Sequence, residues 1–210
     1  MDGGAVLRVL SEIRLSNPNA RLLAATKYAD ADSINELILL GVDAIGENRV
    51  QDAEKKIPSV LPCEKHFLGW IQSNKIRKIA ALFDVVQSLC RKDHAVKLNE
   101  MAKVQNKKMR VLVQVNAGDE SQKQGLPMEE NALRDFLVFL KTLDFLVLEG
   151  LMVVVPEGKG PLFFPKAKDL FDLFKDGFHL KVLSMGTSDD YRSALENGAT
   201  LVRVGRILFS

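Results

Sequence analysis

Lys27 closes the apolar run Arg21-Leu-Leu-Ala-Ala-Thr-Lys27, where a buried strand should stop and a loop begin. A lysine on the rim of a parallel sheet, held beside apolar neighbours, can lose its proton near neutral pH because desolvation disfavours the ammonium form. The free amine attacks aldehydes, so Lys27 is a Schiff-base candidate; the competing reading is an ordinary solvated surface lysine. Farther along, Ser184-Met-Gly-Thr-Ser188, with Asp189 at the start of a helix, offers hydroxyls, a flexible Gly186 and free backbone N–H groups. Those are phosphate-binding parts. Val204-Gly205-Arg206 supplies a second set, and for either piece alone a capped helix or a turn glycine is the plainer explanation. Arg203 points inward if strand alternation holds around Leu201 and Val202, and an inward arginine needs an acceptor. A buried carboxylate such as Glu47 would be its purely structural partner.

Other chemistries find less support. His66, His94 and His179 fall on different elements, so neither a metal cluster nor a nucleophilic dyad is expected. Cys63 and Cys90 lack disulfide or zinc spacing and read as two reduced, buried thiols. The formal charge of +2 is too small to point to nucleic acid. Neither a signal sequence nor a membrane-crossing run is expected, which makes the cytoplasm the natural location.

These groups need a frame, and the chain alternates short aliphatic runs with segments of helical period from one end to the other. Strands are expected up to Lys27, at Val42–Ile45, His66–Trp70, Val85–Leu89, Arg110–Asn116, Leu146–Val155, Lys181–Ser184 and Leu201–Val204. Helices are expected over Ala5–Leu15, from a cap at Asp32-Ser33 to Leu40, over Val50–Ile57, Asn74–Phe83, His94–Val104 and Glu129–Leu143, from Pro165 to Lys175, and over Tyr191–Glu196. The stripe Phe136, Phe139 and Leu140 is read as helical core. Eight strands, each except the last followed by a helix, predict an α/β fold, a single (β/α)8 TIM barrel over residues 1–210 with an extra N-terminal helix; an open doubly wound sheet is the alternative. In such a barrel the carboxyl ends of the strands carry function, and here they present Lys27, Glu47, Asn48, Gln72 to Asn74, Ser88, Asn116, Ser184 to Ser188, Arg203 and Gly205. A rim amine, a phosphate cup after strands seven and eight and an inward arginine describe a pocket for a phosphorylated aldehyde. Pyridoxal 5′-phosphate (PLP) meets all three requirements.

The same residues resemble a known family, the pyridoxal-phosphate homeostasis proteins. The resemblance rests on Leu22-Leu-Ala-Ala-Thr-Lys27, Gly46-Glu-Asn48 with Val50-Gln51, His66-Phe-Leu-Gly69 with Gln72-Ser-Asn-Lys75, Val115-Asn116 with Lys123 and Gly125, Gly150-Leu-Met152, Leu183-Ser-Met-Gly186 with Ser188-Asp189, and Val202-Arg-Val-Gly205. The stretches keep family order over nearly the whole chain. Position 49 is Arg where the family more often has an aromatic, Trp70 stands in a usually smaller slot, Thr187 replaces a methionine, and Arg206 stands where a small hydroxyl residue is frequent.

The resemblance implies a barrel like the N-terminal domain of alanine racemase, PLP held as an internal aldimine on Lys27, phosphate contacts from Ser188 and the Gly205-Arg206 backbone, and a ring-nitrogen contact from Arg203. Asn48, Ser88, Ser184 and Gly186 complete the expected cofactor site. An arginine at the ring nitrogen keeps that nitrogen unprotonated, which suits storage better than carbanion chemistry. The expected role is that of a PLP carrier in vitamin B6 homeostasis, without strong catalysis, monomeric, with PLP-dependent apo-enzymes as recipients. Two rivals stand beside it: a PLP-dependent amino-acid racemase or lyase, which needs a second proton-transfer group besides Lys27, and a cofactor-free class I aldolase.

Overall fold

A computed structural model describes residues 2–118 and 124–209. Helix α1 (Gly3–Ser16) precedes strand β1 (Arg21–Ala25), and the chain continues through α2 (Ala31–Leu39), β2 (Ala44–Glu47), α3 (Val50–Lys56), β3 (Glu64–Phe67), α4 (Ile76–Leu82), β4 (Val85–Leu89), α5 (Lys92–Val104) and β5 (Met109–Asn116). There follow β6 (Leu126–Pro127), α6 (Glu130–Leu140), β7 (Leu146–Val154), α7 (Gly160–Phe178), β8 (Val182–Ser184), α8 (Tyr191–Glu196), β9 (Leu201–Val204) and α9 (Arg206–Phe209). The strands run β4-β3-β2-β1-β9-β8-β7-β5, and pairing of β4 with β5 closes the ring; the two-residue β6 adds to β5 outside it. Every described pairing is parallel. The expected barrel is therefore formed, and the closing pair excludes the open sheet. Solenoid-like accumulation of βα units would leave two edges; closure removes both.

The period-2 alternation of each strand sorts its side chains into two cores. Leu22, Ala24, Val86, Val111, Val113, Val202 and Val204 face outward into a continuous apolar layer shared with the helices. Leu23, Ala44 and Leu201 face the barrel axis, as do Val85, Leu112 and Met152. The axis also carries polar groups, because the inward phase of β3 holds Glu64 and His66, that of β4 holds Gln87, and those of β8 and β9 hold Ser184 and Arg203.

Two helix boundaries differ from the sequence expectation. Asp30, rather than Asp32-Ser33, caps α2, its carboxylate accepting the Ser33 amide at 2.9 Å. Helix α7 begins at Gly160 and runs through Pro165 instead of starting there. Pro165 falls in the second turn, where its missing amide leaves the Pro161 carbonyl without an i→i−4 partner. Against that single bond stand Phe164, Ala167, Phe171 and Phe174, a buried stripe that continues on both sides of the proline. Burying each phenylalanine stabilises by about 2–3 kcal/mol, so the stripe outweighs the interruption.

Strand β7 carries the expected break at Glu149-Gly150 as a shift in register: Val111 pairs with Leu148, but Leu112 pairs with Gly150. At Gly150 the backbone of β8 comes so close that a Cβ would lie 1.8 Å from the Val182 carbonyl oxygen.

Candidate cofactor site

Strand β1 delivers Lys27 to the carboxyl-end rim, two residues past Ala25, and the alternation of Leu23 and Ala25 puts Lys27 on the axial side. The backbone beneath it is fixed from outside the barrel. The Thr26 amide donates to the Gly46 carbonyl at 2.9 Å, and the buried Thr26 hydroxyl donates to Glu47 Oε1 at 2.6 Å. Lys56, from the last turn of α3, reaches in to donate to the Thr26 carbonyl at 2.8 Å and to Glu47 Oε1 at 2.5 Å. Sequence reading missed Lys56, which looks like one of several basic residues ending a helix.

The Lys27 side chain itself is exposed, with Nζ 4.8 Å from the centroid of the Tyr28 ring, whose own exposure is 88%. The expected dry, apolar setting is not present, because the residue after Lys27 lies on the surface and the apolar part of the run ends at Ala25. Glu47 is also corrected: its alternation turns it outward to Thr26 and Lys56, away from Arg203.

Arg203 does face the axis, and its acceptors are neutral. Nη1 donates to Ser184 Oγ at 2.8 Å and Nη2 to the Val153 carbonyl at 3.0 Å. Burial pushes this guanidinium down to about 10, with Asp190 opposing the shift, so it stays charged at neutral pH. A half-buried cation whose acceptors among the described residues are all neutral favours the arrival of a further acceptor.

After β8 the chain turns at Gly186, whose φ of +89° and 2.5 Å approach of a would-be Cβ to the Ala194 Cβ both require glycine. The loop is pinned by Asp190, which accepts the Thr187 amide at 2.6 Å and its hydroxyl at 3.1 Å. Ser188 Oγ accepts the Gly205 amide at 3.1 Å, joining the loops after β8 and β9. Gly205 lies against β1, where its Cβ would sit 3.1 Å from the Ala25 carbonyl oxygen. The loop after β9 thus lies beside the strand that ends in Lys27, and the Ser188–Gly205 bond ties the loop after β8 to it. The Arg206 side chain turns away to pair with Asp189, so only its backbone remains on this side. A neighbouring cavity of about 360 Å³ borders the cup at Ser188 but is lined by Asp189 and Asp190, which repel an anion.

The remaining expected residues are more dispersed. Asn48 is exposed beside Lys27's strand end, and its carbonyl oxygen would meet a Cβ on Gly69 at 1.9 Å. Ser88 is buried at 2% exposure, and its Oγ has no partner among the described residues. Gln72, Ser73 and Asn74 are exposed in a short turn and do not join the cup. Lys123 lies outside the described residues. Among the described residues there is no group of histidines, cysteines and carboxylates able to hold a metal. Cys63 and Cys90 are free and half-buried, and burial raises both thiols.

Beneath the rim a line of polar side chains follows the axis. Ser184 donates to Gln87 Oε1 at 2.8 Å, Gln87 Nε2 lies 2.8 Å from His66 Nδ1, and His66 Nε2 lies 2.5 Å from Glu64 Oε1. Glu64 Oε2 then accepts from Arg110 at 2.8 Å, and Oε1 from Arg21 at 3.3 Å. Burial drives the Glu64 carboxyl up, but His66, Arg110 and Arg21 together overcome it and hold the group down at about 2. Burial also lowers His66, against the pull of Glu64, so the ring is neutral.

Both shifts make the fold acid-sensitive. The Glu64 contribution is present above its ordinary value near 4.5 and is lost as pH falls from there towards 2. His66 adds a loss below its ordinary value near 6.5, where the unfolded chain takes up a proton more readily. Denaturant titrations from pH 7 to 3 should show stability falling by on the order of 2 kcal/mol from Glu64 alone, with His66 adding to the loss in the same direction. Glu64→Gln should flatten the part below pH 5.

Comparison with known proteins follows the same lines. The family described as "Alanine racemase, N-terminal domain" matches residues 7–210. The pyridoxal phosphate homeostasis protein of Pasteurella multocida (strain Pm70) is 35% identical over 201 residues, covering 90% of this chain and 85% of that one. PipY of Synechococcus elongatus PCC7942, solved without PLP, superposes with a TM-score of 0.88 at 30% identity over 98% of this chain and all of its own; the form with PLP bound gives 0.85. Alanine racemase of Clostridium difficile 630 shares the fold, with a TM-score of 0.78 at 19% identity over 97% of this chain and 58% of the racemase.

Proposed function

The chain belongs to the alanine racemase N-terminal domain family, and within it to the pyridoxal phosphate homeostasis proteins; on that footing we propose that it binds, holds and releases PLP, with Lys27 as the amine that takes the aldehyde. The single observation that carries this reading is the placement of Lys27 on the rim between the loops after β2 and β9, with the charged Arg203 below it. The residues suit the ligand. The Ser188 hydroxyl and the loop backbones of Gly186 and Arg206 offer donors for a phosphate, while the Gly205 amide is already given to Ser188 Oγ. Among the described residues the buried Ser88 hydroxyl has no partner and Arg203 meets only neutral acceptors, so a ring nitrogen acceptor would suit the cation. When bound, PLP supplies an aldehyde and an aromatic ring able to delocalise electrons. A cationic donor opposite the ring nitrogen keeps it unprotonated and weakens that delocalisation, which favours storage over catalysis.

A racemase or lyase needs a second proton-transfer group. Tyr191, a tyrosine far along the chain, is committed to Glu12 and pushed up to about 12 by burial and that contact. A cytoplasmic monomer that passes PLP to apo-enzymes is the corresponding cellular role, supported by the exposure of the holding amine; among the described residues no helix is long and apolar enough to cross a membrane. The test is an absorbance spectrum with PLP before and after borohydride, followed by mass measurement of the peptides. A visible band that bleaches and a reduced adduct on Lys27 are expected; no band, or an adduct elsewhere, would overturn the proposal.

A further inference from the structure

The axial line from Arg203 to Glu64 has a direction. Arg203 can only donate, so Ser184 must accept from it and donate its own proton to Gln87 Oε1. The Gln87 amide then has only its NH2 left for His66 Nδ1, which makes Nδ1 the acceptor and leaves Nε2–H to donate to Glu64. Each partner fixes the next over four strands, and Ser184 and Gln87 are 97 residues apart in the chain. The charged groups facing His66 are Glu64 on its own strand, Arg110 from β5 and Arg21 from β1; Glu149 of β7 lies behind Arg110, with 3.8 Å between their charged atoms. Its neighbour on β2 is Gly46, which brings no charge.

A proton on His66 Nδ1 reverses this order. Nδ1–H would then need the Gln87 oxygen, the amide would have to rotate, and its NH2 would face Ser184. The Ser184 hydroxyl proton would lose its acceptor while a further positive charge joined Arg203, Arg110 and Arg21 along the axis.

We propose that His66 is a positioning residue for the cofactor site: through Gln87 and Ser184, the neutral ring keeps Arg203 set for the ligand's ring nitrogen, and protonation of the ring loosens that hold. The proposal rests on the PLP reading above and extends it to a pH response built into the barrel. Binding and protonation are then linked reciprocally, so ligand binding must also resist protonation of His66.

The experiment uses pyridoxine 5′-phosphate, which has the ring and phosphate but no aldehyde, so that Lys27 chemistry does not enter. Its Kd is measured for the wild-type chain and for Gln87→Leu from pH 8 down through the His66 titration, which histidine NMR of the same samples locates, and their ratio isolates the relay from the titration of the ligand. About tenfold weaker binding by the variant at pH 8, shrinking towards equality as His66 takes up its proton, is expected. A ratio independent of pH means a merely structural role and overturns the proposal. Gln87→Glu, which offers an acceptor to both neighbours, should raise the His66 titration midpoint by about one unit and move the binding step with it. Nitrogen NMR of ligand-free protein gives a readout independent of the cofactor: the Nε2–H tautomer is expected, and an Nδ1–H tautomer sinks the relay even if PLP binds. Failure of the wild-type chain to bind either B6 phosphate would instead defeat the underlying cofactor assignment and the relay with it.

Discussion

Lys27→Ala protein should lose the visible PLP band and the borohydride-stable adduct altogether, while the melting temperature changes little. The side chain is exposed, so its truncation leaves no cavity, and the rim backbone is held by Thr26, Glu47 and Lys56. What disappears is the covalent link. Equilibrium dialysis should show residual binding through the phosphate cup and Arg203, weakened by about 100-fold, or roughly 2.7 kcal/mol. Lys27→Arg keeps the positive charge but lacks the nucleophile, so it should fail in the same assays. A surviving band in either variant, with the adduct moved to Lys56, would show that the amine had been assigned to the wrong lysine.

Gly150→Ala should have the largest effect on folding. Its new methyl would sit 1.8 Å from the Val182 carbonyl oxygen, a clash with backbone that no rotamer relieves. Relief requires β7 and β8 to separate next to Ser184, so stability in urea titrations should fall by about 3 kcal/mol. PLP binding should weaken with it, since Ser184 anchors Arg203. Gly177→Ala provides the opposite case: it lies in α7 with nothing within 4 Å of the added atom. That change should stabilise by roughly 0.5–1 kcal/mol. Equal effects at the two positions would refute the steric account.

The contrast between these glycines shows where sequence reading reaches its limit. The break at Glu149-Gly150 was legible as an interruption of a β-prone run, but the contact that makes it necessary comes from Val182 on another strand. The strands and most helices were legible because their apolar periods are local. Pro165 misled because a local breaker was weighed without the Phe164, Phe171 and Phe174 stripe on both sides. In the site, the loops holding Gly186, Ser188 and Gly205 followed from strand ends, as did the inward turn of Arg203. Its partner did not: Glu47 looked like a suitable carboxylate until the phase of β2 sent it to Lys56. His66 appeared unremarkable on its own, because the neighbours that give it a role, Gln87 and Glu64, belong to a line visible only once the ring is closed.

The fastening of Thr26 by Glu47 and Lys56, beside an exposed Lys27, makes the amine a free arm on a stiff shoulder. Exposed side chains rotate within picoseconds to nanoseconds, whereas moving barrel backbone takes far longer. If Lys27 takes PLP as proposed, loading and unloading there would run at the pace of the bond being made or broken rather than at the pace of the backbone beneath it.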